Sequence, residues 1–366
     1  MDSLILAING GSSSLKYGAF TVGESRAETV MAGAIDTAQD PAGIFDDIAA
    51  KLGRAPDAIG HRIVHGGPRL FRPTLIDDNV IAEMEAACAF APLHGPAALD
   101  LIAAARRHFP DVPQIACFDT GFHEHLPPIA AVLPVPKALR AAGIRRYGFH
   151  GLSCQSIVRQ LGAGLPERLV IAHLGSGASV TAVLGGVSID TSMGLTPSGG
   201  VVMATRSGDL DPGLLLFLLR EHGMTAARLE ELLDRESGLL GISGLSGDLR
   251  TLRSLAPSAA DARLAIDIFC RSVARQIAAM IASLGGIDML VFSGGIGEHD
   301  ADTRKAICAD LAWAGVVQGI QGSTFENVRV CLPCEEEQIA RNASALVRAL
   351  AIRRDAPPPL MHDVAV

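Results

Sequence analysis

The chain has 366 residues, a length that predicts two or three domains, and its 49% of hydrophobic residues excludes an intrinsically disordered protein. Aromatic residues make up only 4% and the net charge is −8, which argues against a nucleic-acid or membrane-surface partner. The 39 glycines are about 11% of the chain against a usual ~7%, so their positions need explaining.

The sequence carries no targeting or spanning signal that we recognise. The first residues, Met1–Ile8, lack a basic start and are apolar over a short stretch only, so we expect a cytoplasmic protein. The most apolar long window, 276–292, is interrupted by Gly285, Gly286 and Asp288. Seven scattered cysteines indicate reduced thiols, and the lone Cys-Leu-Pro-Cys at 331–334 is a weak signal for a metal or redox site.

The first half begins with two apolar segments and continues with alternating strand and helix patterns. The predicted elements are a strand Ser3–Ile8, a turn Asn9–Ser14, a strand Leu15–Val22, a helix Ala97–Arg107 opened by Pro96, and a strand Gln114–Phe118. Such alternation favours an α/β architecture.

An internal repeat links the two halves. The segment Leu4–Leu15 resembles Leu169–Val180 at an offset of 165 residues, with Gly10 opposite Gly175 and Ser14 opposite Ser179. Each copy is an apolar strand, a turn of glycine and serine, and a second apolar stretch. The match predicts a duplicated domain whose halves face each other.

The second half offers clear helix ends. Asp211-Pro212 predicts the start of a helix over Gly213–Leu219, and Gly285-Gly286 ends a helix predicted over Leu264–Leu284. Met289–Phe292 is predicted as a strand that leads into a third glycine-rich segment. The tail from Ala356 onward is predicted to be frayed.

Three glycine-rich turns follow predicted buried strands, at Asn9–Ser14, Gly175–Ser179 and Gly294–Gly297. Glycine backbone lets N–H groups approach phosphate oxygens, and serine hydroxyls add donors. Neither the P-loop pattern nor the Rossmann glycine pattern is present, so a common nucleotide motif does not explain them. We therefore predict a phosphate-binding site of another type.

Polar side chains in glycine-bordered turns complete the candidate site. His61 and His65 have the spacing of a zinc-binding pair but lack the accompanying glutamate, so a metal there is disfavoured. Asp119 follows a predicted strand at its carboxyl end, where α/β proteins bind ligands. Together with Arg62, Arg206, His94 and His150, it forms an inventory suited to phosphoryl transfer.

Nine stretches of the chain resemble the acetate kinase family. They run in order through nearly the whole sequence, at 9–16, 60–67, 118–123, 147–151, 173–179, 192–197, 205–212, 292–298 and 335–341. The resemblance implies duplicated actin/hexokinase-like domains of ribonuclease H type, with an active-site cleft between them. It also implies ATP-dependent, reversible phosphorylation of a short carboxylate, most simply acetate, with Mg²⁺ or Mn²⁺ and a homodimer.

The resemblance further implies roles for individual residues. Arg62, Asp119, His150 and Arg206 would be catalytic, and Asn9 and Glu335 would lie near the metal ion. The acyl group would contact Val64, Leu93, His94, Phe149 and Pro197. ATP or ADP would contact Ser12, Ser14, Lys16, His173, Leu174, Gly175, Ser176, Gly177, Asp248, Leu249, Arg250, Gly295, Ile296, Gly297, Glu298 and His299. The predicted domains are 1–148 with a C-terminal helix at about 337–366, and 149–336 for the nucleotide.

Elementary chemistry supports these roles in part. A carboxylate with a pKa of about 4 to 5 is already an anionic nucleophile at neutral pH, so no general base is needed. The arginines, His150 and the metal ion are expected to supply positive charge and hydrogen-bond donors around the transferring group. We therefore expect Asp119 to orient the metal or an arginine.

Three alternatives remain at this point. A propionate or butyrate kinase differs by one or two methylene groups, each worth only about 1–3 kcal/mol in an apolar pocket. A sugar or polyol kinase of the same fold would need a base and polar specificity residues, whereas the implied pocket is apolar. A non-catalytic nucleotide-binding or scaffold protein would have no use for the charged residues that the chain carries together.

Overall fold

The structure, a computed structural model, describes residues 2–11, 14–36, 41–316 and 327–355, with backbone alone at 14, 36, 41–42 and 353–355. Its strands are β1 Ser3–Gly10, β2 Ser14–Val22, β3 Ala27–Asp36, β4 Ala58–Ile63, β5 Thr74–Leu75, β6 Gln114–Phe118, β7 Arg168–Leu174, β8 Ala178–Leu184, β9 Val187–Thr191, β10 Met289–Ser293 and β11 Val328–Val330. Its α-helices are α1 Pro41–Leu52, α2 Asp78–Ala87, α3 Gly95–His108, α4 Pro128–Ala131, α5 Lys137–Ala141, α6 Gly151–Leu161, α7 Pro212–Glu221, α8 Ala226–Glu231, α9 Gly238–Ser243, α10 Leu249–Leu255, α11 Ala260–Leu284, α12 Gly294–His299, α13 Ala301–Asp310 and α14 Glu335–Asp355.

The two sheets repeat one strand order. In the first sheet the order is β3-β2-β1-β4-β6, with β5 at the far edge, and in the second it is β9-β8-β7-β10-β11. In each sheet the first three strands pair antiparallel, and the later two join them in parallel. Because β1 corresponds to β7 and β2 to β8, the repeat predicted from the sequence is confirmed. The duplicated actin/hexokinase-like α/β fold is confirmed with it.

Local signals in the sequence account for several element ends. The Asp211 carboxylate accepts a hydrogen bond from the backbone N–H of Gly213 and caps α7. Gly285 ends α11 in the left-handed conformation, at φ 68°. The bounds differ modestly from expectation: α7 runs from Pro212 to Glu221, and α11 begins four residues earlier, at Ala260.

Two predicted turns are corrected. Asn9 and Gly10 belong to β1, so the first turn is shorter than predicted. The third glycine-rich segment, 294–297, is the start of α12. The strand β10 ends at Ser293 and passes directly into α12 through the left-handed Gly294 (φ 76°), whose missing side chain allows the close approach of that helix to Leu174 of β7. The predicted frayed tail, from residue 356, lies outside the described residues.

Helices cover both sheets and build the core. The long helix α11 packs on β8 and β7, and its buried residues form the largest apolar cluster together with the second sheet. The C-terminal helix α14 returns to pack on β1, β2 and β4 of the first sheet. The predicted domain limits, at 148/149 and 336/337, remain a prediction.

Two further observations concern membrane spans and cysteines. None of the helices described combines the length and apolarity that crossing a bilayer requires. All seven cysteines lie in described residues and are free thiols, including Cys331 and Cys334.

Candidate active site

Parallel strands β4 and β6 bring Arg62 beside Asp119 at the carboxyl edge of the first sheet. Both Nε and Nη2 of Arg62 donate to Asp119 Oδ2, at 2.9 and 2.6 Å. Burial alone would lower the pKa of Arg62, but the charges of Asp119 and Glu335 outweigh it and raise that pKa. Arg62 is thus a fixed cation, and Asp119 orients it.

Carboxylates from the start of α14 face the end of β1. The Asn9 amide nitrogen donates to Glu335 Oε2 at 2.9 Å and to Glu336 Oε1 at 2.8 Å, while its oxygen accepts from Arg62 Nη1 at 3.3 Å. Burial is the main cause that raises the pKa of Glu335. The positive charge of Arg62 lowers this pKa, and the negative charge of Asp119 raises it further. The site thus crowds anionic groups with little solvent to screen them.

These oxygens fit a divalent cation. Asp119 Oδ1 is buried with no hydrogen-bond partner, and the Glu335 carboxyl nearby is half-buried. The described residues hold no ready cluster of three histidine, cysteine or acidic side chains around one point. Mg²⁺ commonly takes only one or two protein carboxylates and completes its shell with phosphate oxygens and water, so such a cluster is not required.

His150 stands in a strained backbone conformation at the start of α6. Among the described residues it is the one non-glycine with a positive φ, at 56°. Its ring stacks on His173 at 4.4 Å between centroids. Burial foremost, and then His173, Arg62 and Arg206, hold the pKa of His150 well below its usual value. We expected positive charge here; in the ligand-free protein the ring is instead a neutral hydrogen-bonding group.

The glycine turn between β7 and β8 lies against His150 and Arg206, the two side chains of the second half that are predicted to be catalytic. A Cβ at Gly177 would lie 3.4 Å from His150 Nε2 and 3.6 Å from Arg206 Nη1. The missing side chain leaves a space on which an imidazole and a guanidinium converge. Such convergent donors suit the oxygens of a transferring phosphoryl group.

Arg206 is buried next to neutral partners. Its Nη1 donates to the Pro197 carbonyl at 3.2 Å, and its Nη2 lies 3.5 Å from His94 Nε2. Burial, with the charges of Arg206 and Arg62, lowers the pKa of His94 to about 4, so that ring is neutral. Burial also lowers the pKa of Arg206 itself; the nearby Asp234 carboxylate opposes this effect, and Arg62 adds to it. An anion bound beside Arg206 would raise the pKa values of both His94 and Arg206.

Two apolar cavities adjoin the arginines. One of about 60 Å³ lies beside Arg62 and is lined by Val64, Leu93 and His94. The other, of about 310 Å³, lies beside Arg206 and is lined by Leu93, His94 and Pro197. The structure thus brings together four of the five residues predicted to contact the acyl group. The fifth, Phe149, is buried against the ring of His65 at 5.6 Å.

A cleft of about 710 Å³ opens on the other side of Arg62 and His150. Its walls hold Glu335 and many of the residues predicted to contact nucleotide: Lys16, His173, Gly175, Ser176, Gly177, Gly295, Glu298 and His299. Ser12 lies outside the described residues, as does the side chain of Ser14. The cleft is large enough for a nucleotide and polar enough for its phosphates.

The remaining predicted nucleotide residues have local structural roles. Leu174 and Gly297 are buried, and Ile296 packs against the main apolar cluster. Asp248 caps α10 through the backbone N–H of Arg250, whose exposed side chain pairs with the same carboxylate, while Leu249 is buried. The structure therefore does not bring the side chains of 248–250 to the lining of this cleft. Adenosine contact there remains a prediction.

Sequence reasoning missed three residues of this region. Glu336 accepts a hydrogen bond from the Asn9 amide nitrogen, as Glu335 does, and the run of three glutamates at 335–337 does not indicate which of them contacts Asn9. Ser179 contacts the His150 ring, although the repeat had aligned it with Ser14. His123 donates to the carbonyl oxygen of Phe149 at 3.0 Å and so supports the backbone before His150.

Comparisons with known proteins agree with this geometry. Residues 44–351 match the model of the Acetokinase family. An acetate kinase of Rhodopseudomonas palustris is 48% identical over 264 residues, 71% of this chain and 66% of that protein, just under two thirds of its length. One from Nitrobacter hamburgensis is 40% identical over 351 residues, covering 86% of each chain.

Solved structures give the same result over a longer span. The crystal structure of Porphyromonas gingivalis acetate kinase has a TM-score of 0.79 at 32% identity, covering 94% of this chain and 100% of that one. A propionate kinase from Francisella tularensis has a TM-score of 0.82 at 33% identity, covering 94% and 99%.

Proposed function

The chain belongs to the acetokinase family, and we propose that it transfers the γ-phosphoryl group of ATP to acetate, giving acetyl phosphate and ADP. It is a phosphotransferase with a carboxyl group as acceptor. One observation carries the proposal: Arg62 lines both a polar, nucleotide-sized cleft and a small apolar cavity, and Arg206 lines a second apolar cavity while its Nη1 approaches Gly177 in the wall of the cleft. A small amphiphilic anion fits that boundary, whereas a sugar would leave its hydroxyls facing Val64 and Leu93 without partners.

The proposed reaction needs orientation and charge compensation more than proton transfer. A carboxylate oxygen of acetate attacks the γ-phosphorus in line, and the bond to the bridging oxygen of ADP breaks. Arg62 and Arg206 bind and orient the two anions, and His150 Nε2 donates to an oxygen of the transferring group. Asp119 keeps the Arg62 fork in place. The apolar cavity excludes water that would otherwise hydrolyse the product.

We further propose that Mg²⁺ binds at Asn9 and Glu335, with Glu336 and Asp119 close by. The support is the pair of carboxyl groups and the unpartnered Asp119 Oδ1. A divalent ion supplies charge neutralisation between the β- and γ-phosphates when it is bound. The ion-binding residues sit on β1 and α14, so the packing of α14 on the first sheet sets their spacing.

Propionate is the second candidate acceptor. Its support is the likeness to a solved propionate kinase and the cavity of about 310 Å³ beside Arg206. The test incubates purified protein with Mg-ATP and acetate, propionate or butyrate, and traps acyl phosphate as the hydroxamate with hydroxylamine. We expect the largest kcat/KM for acetate. If none of the three acids gives hydroxamate, the proposed reaction is refuted. A larger kcat/KM for propionate than for acetate would make propionate the preferred acceptor.

A homodimer and a cytoplasmic location are further proposals. Helix α7 exposes Leu214, Leu216 and Phe217, which a partner subunit could cover. Seven free thiols suit a reducing compartment. Light scattering after size exclusion tests the first, and cell fractionation tests the second; a monomer at micromolar concentration or recovery in the periplasm would contradict them.

A further inference from the structure

We propose that Ser179 is a positioning residue for the reaction: its hydroxyl holds the His150 ring so that Nε2–H points at the transferring phosphoryl group. The inference rests on the proposed function. Ser179 Oγ lies 2.9 Å from His150 Nδ1, and Ser179 is buried on β8, two residues after Gly177. One serine thus connects the glycine turn to the histidine whose Nε2 faces the space left by Gly177.

The geometry of the ring assigns the two nitrogens to different tasks. Nδ1 faces the Ser179 hydroxyl, and Nε2 faces the space left by Gly177, where Arg206 Nη1 also arrives. A neutral imidazole has one N–H donor and one acceptor nitrogen. A phosphoryl oxygen against Nε2 requires the proton on that nitrogen. Nδ1 is then the acceptor, and Ser179 must donate to it.

The backbone around His150 is already fixed by other contacts. The N–H of Gly151 donates to the Asp119 carbonyl at 2.8 Å, and the Phe149 carbonyl accepts from His123. Stacking on His173, with 28° between the ring planes, limits tilting of the ring. None of these contacts prevents a ring flip or gives Nδ1 a hydrogen-bond partner. The Ser179 hydroxyl does both, because it donates to Nδ1 when the proton is on Nε2.

Loss of the hydroxyl shows what the serine contributes. The hydroxyl can pair with Nδ1 in either tautomer, but a phosphoryl oxygen accepts only from Nε2–H, so with substrate bound Ser179 donates to Nδ1. Without the hydroxyl, Nδ1 would be a buried acceptor lacking its partner, and the ring could flip and carry Nε2–H away from the phosphoryl group. The donor would then be missing in the transition state. The expected consequence falls on turnover more than on substrate binding.

The kinetic test compares Ser179→Ala with Ser179→Thr, which keeps a hydroxyl. For Ser179→Ala we expect kcat to fall about 10- to 100-fold, the scale of leaving one buried partner unsatisfied, with KM for ATP and acetate within about 2-fold of the parent. Ser179→Thr should recover most of kcat. An unchanged kcat in Ser179→Ala, or equal losses in both variants, would overturn the proposal.

A spectroscopic measurement decides the same point without turnover. Long-range ¹H–¹⁵N spectra of histidine-labelled protein, bound to Mg²⁺ and the β,γ-imido analogue of ATP, report which ring nitrogen is protonated; His150→Gln assigns the signal. We expect a single set of Nε2–H ring signals in the parent protein and a second set, from the flipped ring, in Ser179→Ala. A single, unchanged set in both would refute the role of Ser179. Failure of the parent to make acyl phosphate would refute the proposed function, whereas the ring signals test the contact between Ser179 and His150 on their own.

Discussion

Removal of Arg206 tests the proposed reaction most directly. Its guanidinium is hydrogen-bonded to a carbonyl oxygen and to a neutral histidine, at 3.2 and 3.5 Å, and forms no ion pair with a carboxylate of the described residues. Arg206→Ala therefore leaves no buried carboxylate without its partner, and we expect little loss of folding stability. The positive charge that faces the Gly177 space would be lost.

The expected kinetic effect is large and falls mainly on the chemical step. Arginines that stabilise a transferring phosphoryl group contribute about 10³- to 10⁵-fold in rate, which corresponds to roughly 4–7 kcal/mol of activation free energy. Because Arg206 lies beside the apolar cavity rather than along the nucleotide cleft, ATP affinity should stay within a few-fold. The KM for acetate should rise, since the carboxylate loses one of its two cations.

The assay combines hydroxamate formation with calorimetric titration of ATP in the absence of acetate. Arg69→Ala is the matched control, because Arg69 is an exposed arginine whose partner is the surface residue Glu83. Near-normal turnover by Arg206→Ala would refute the assignment. So would a loss of ATP affinity large enough to account for the loss of rate.

Three further results are expected. Asp119→Asn should lower kcat and cost about 3–5 kcal/mol in urea unfolding, because the buried Arg62 loses its counter-charge; an unfolding curve that matches the parent would contradict this. Glu335→Gln should weaken activation by Mg²⁺ at least 10-fold in a metal titration, and an unchanged midpoint would count against the ion site. Burial lowers the pKa of five histidines from 6.5 to about 4, namely His61, His65, His94, His123 and His173, so the unfolded chain binds protons that the native chain does not. Stability should therefore fall as pH drops from 6.5 toward 4, by up to ~1.4 kcal/mol per pH unit for each of them, and urea midpoints that stay level from pH 7 to 5 would refute this.

The sequence was informative wherever the signal was local. An apolar run followed by glycine and serine predicts β1 and β7, and the repeat between them predicts two like sheets before any pairing is known. Capping residues such as Asp211 and Gly285 locate helix ends within a few residues. These features depend on neighbours in the chain, so one sequence suffices to find them.

Contacts between distant segments could not be predicted from residue patterns alone. The two hydrogen bonds from the Arg62 guanidinium to Asp119 depend on the parallel register of β4 and β6. That register pairs Arg62 with Cys117, two residues before Asp119. The approach of Glu335 and Glu336 to Asn9 depends on the return of α14 to the first sheet, more than 320 residues along the chain. The resemblance supplied such residues by position, but it gave no partners for them. Ser179 went unnoticed for that reason.

Net charge does not predict the small-molecule ligand, and the structure explains why. The chain carries −8 overall, but the charge that a phosphate meets is set by groups removed from solvent. Burial foremost, with the charges of Arg62 and Arg206 adding to it, lowers the pKa of His94 and His150 and keeps those rings neutral, so the site gains hydrogen-bond donors without gaining further repulsion between cations. Asp119 and Glu335 then balance Arg62 on the side where a divalent ion is proposed to bind. A site arranged in this way attracts a polyanion locally, whatever the sign of the protein's outer surface.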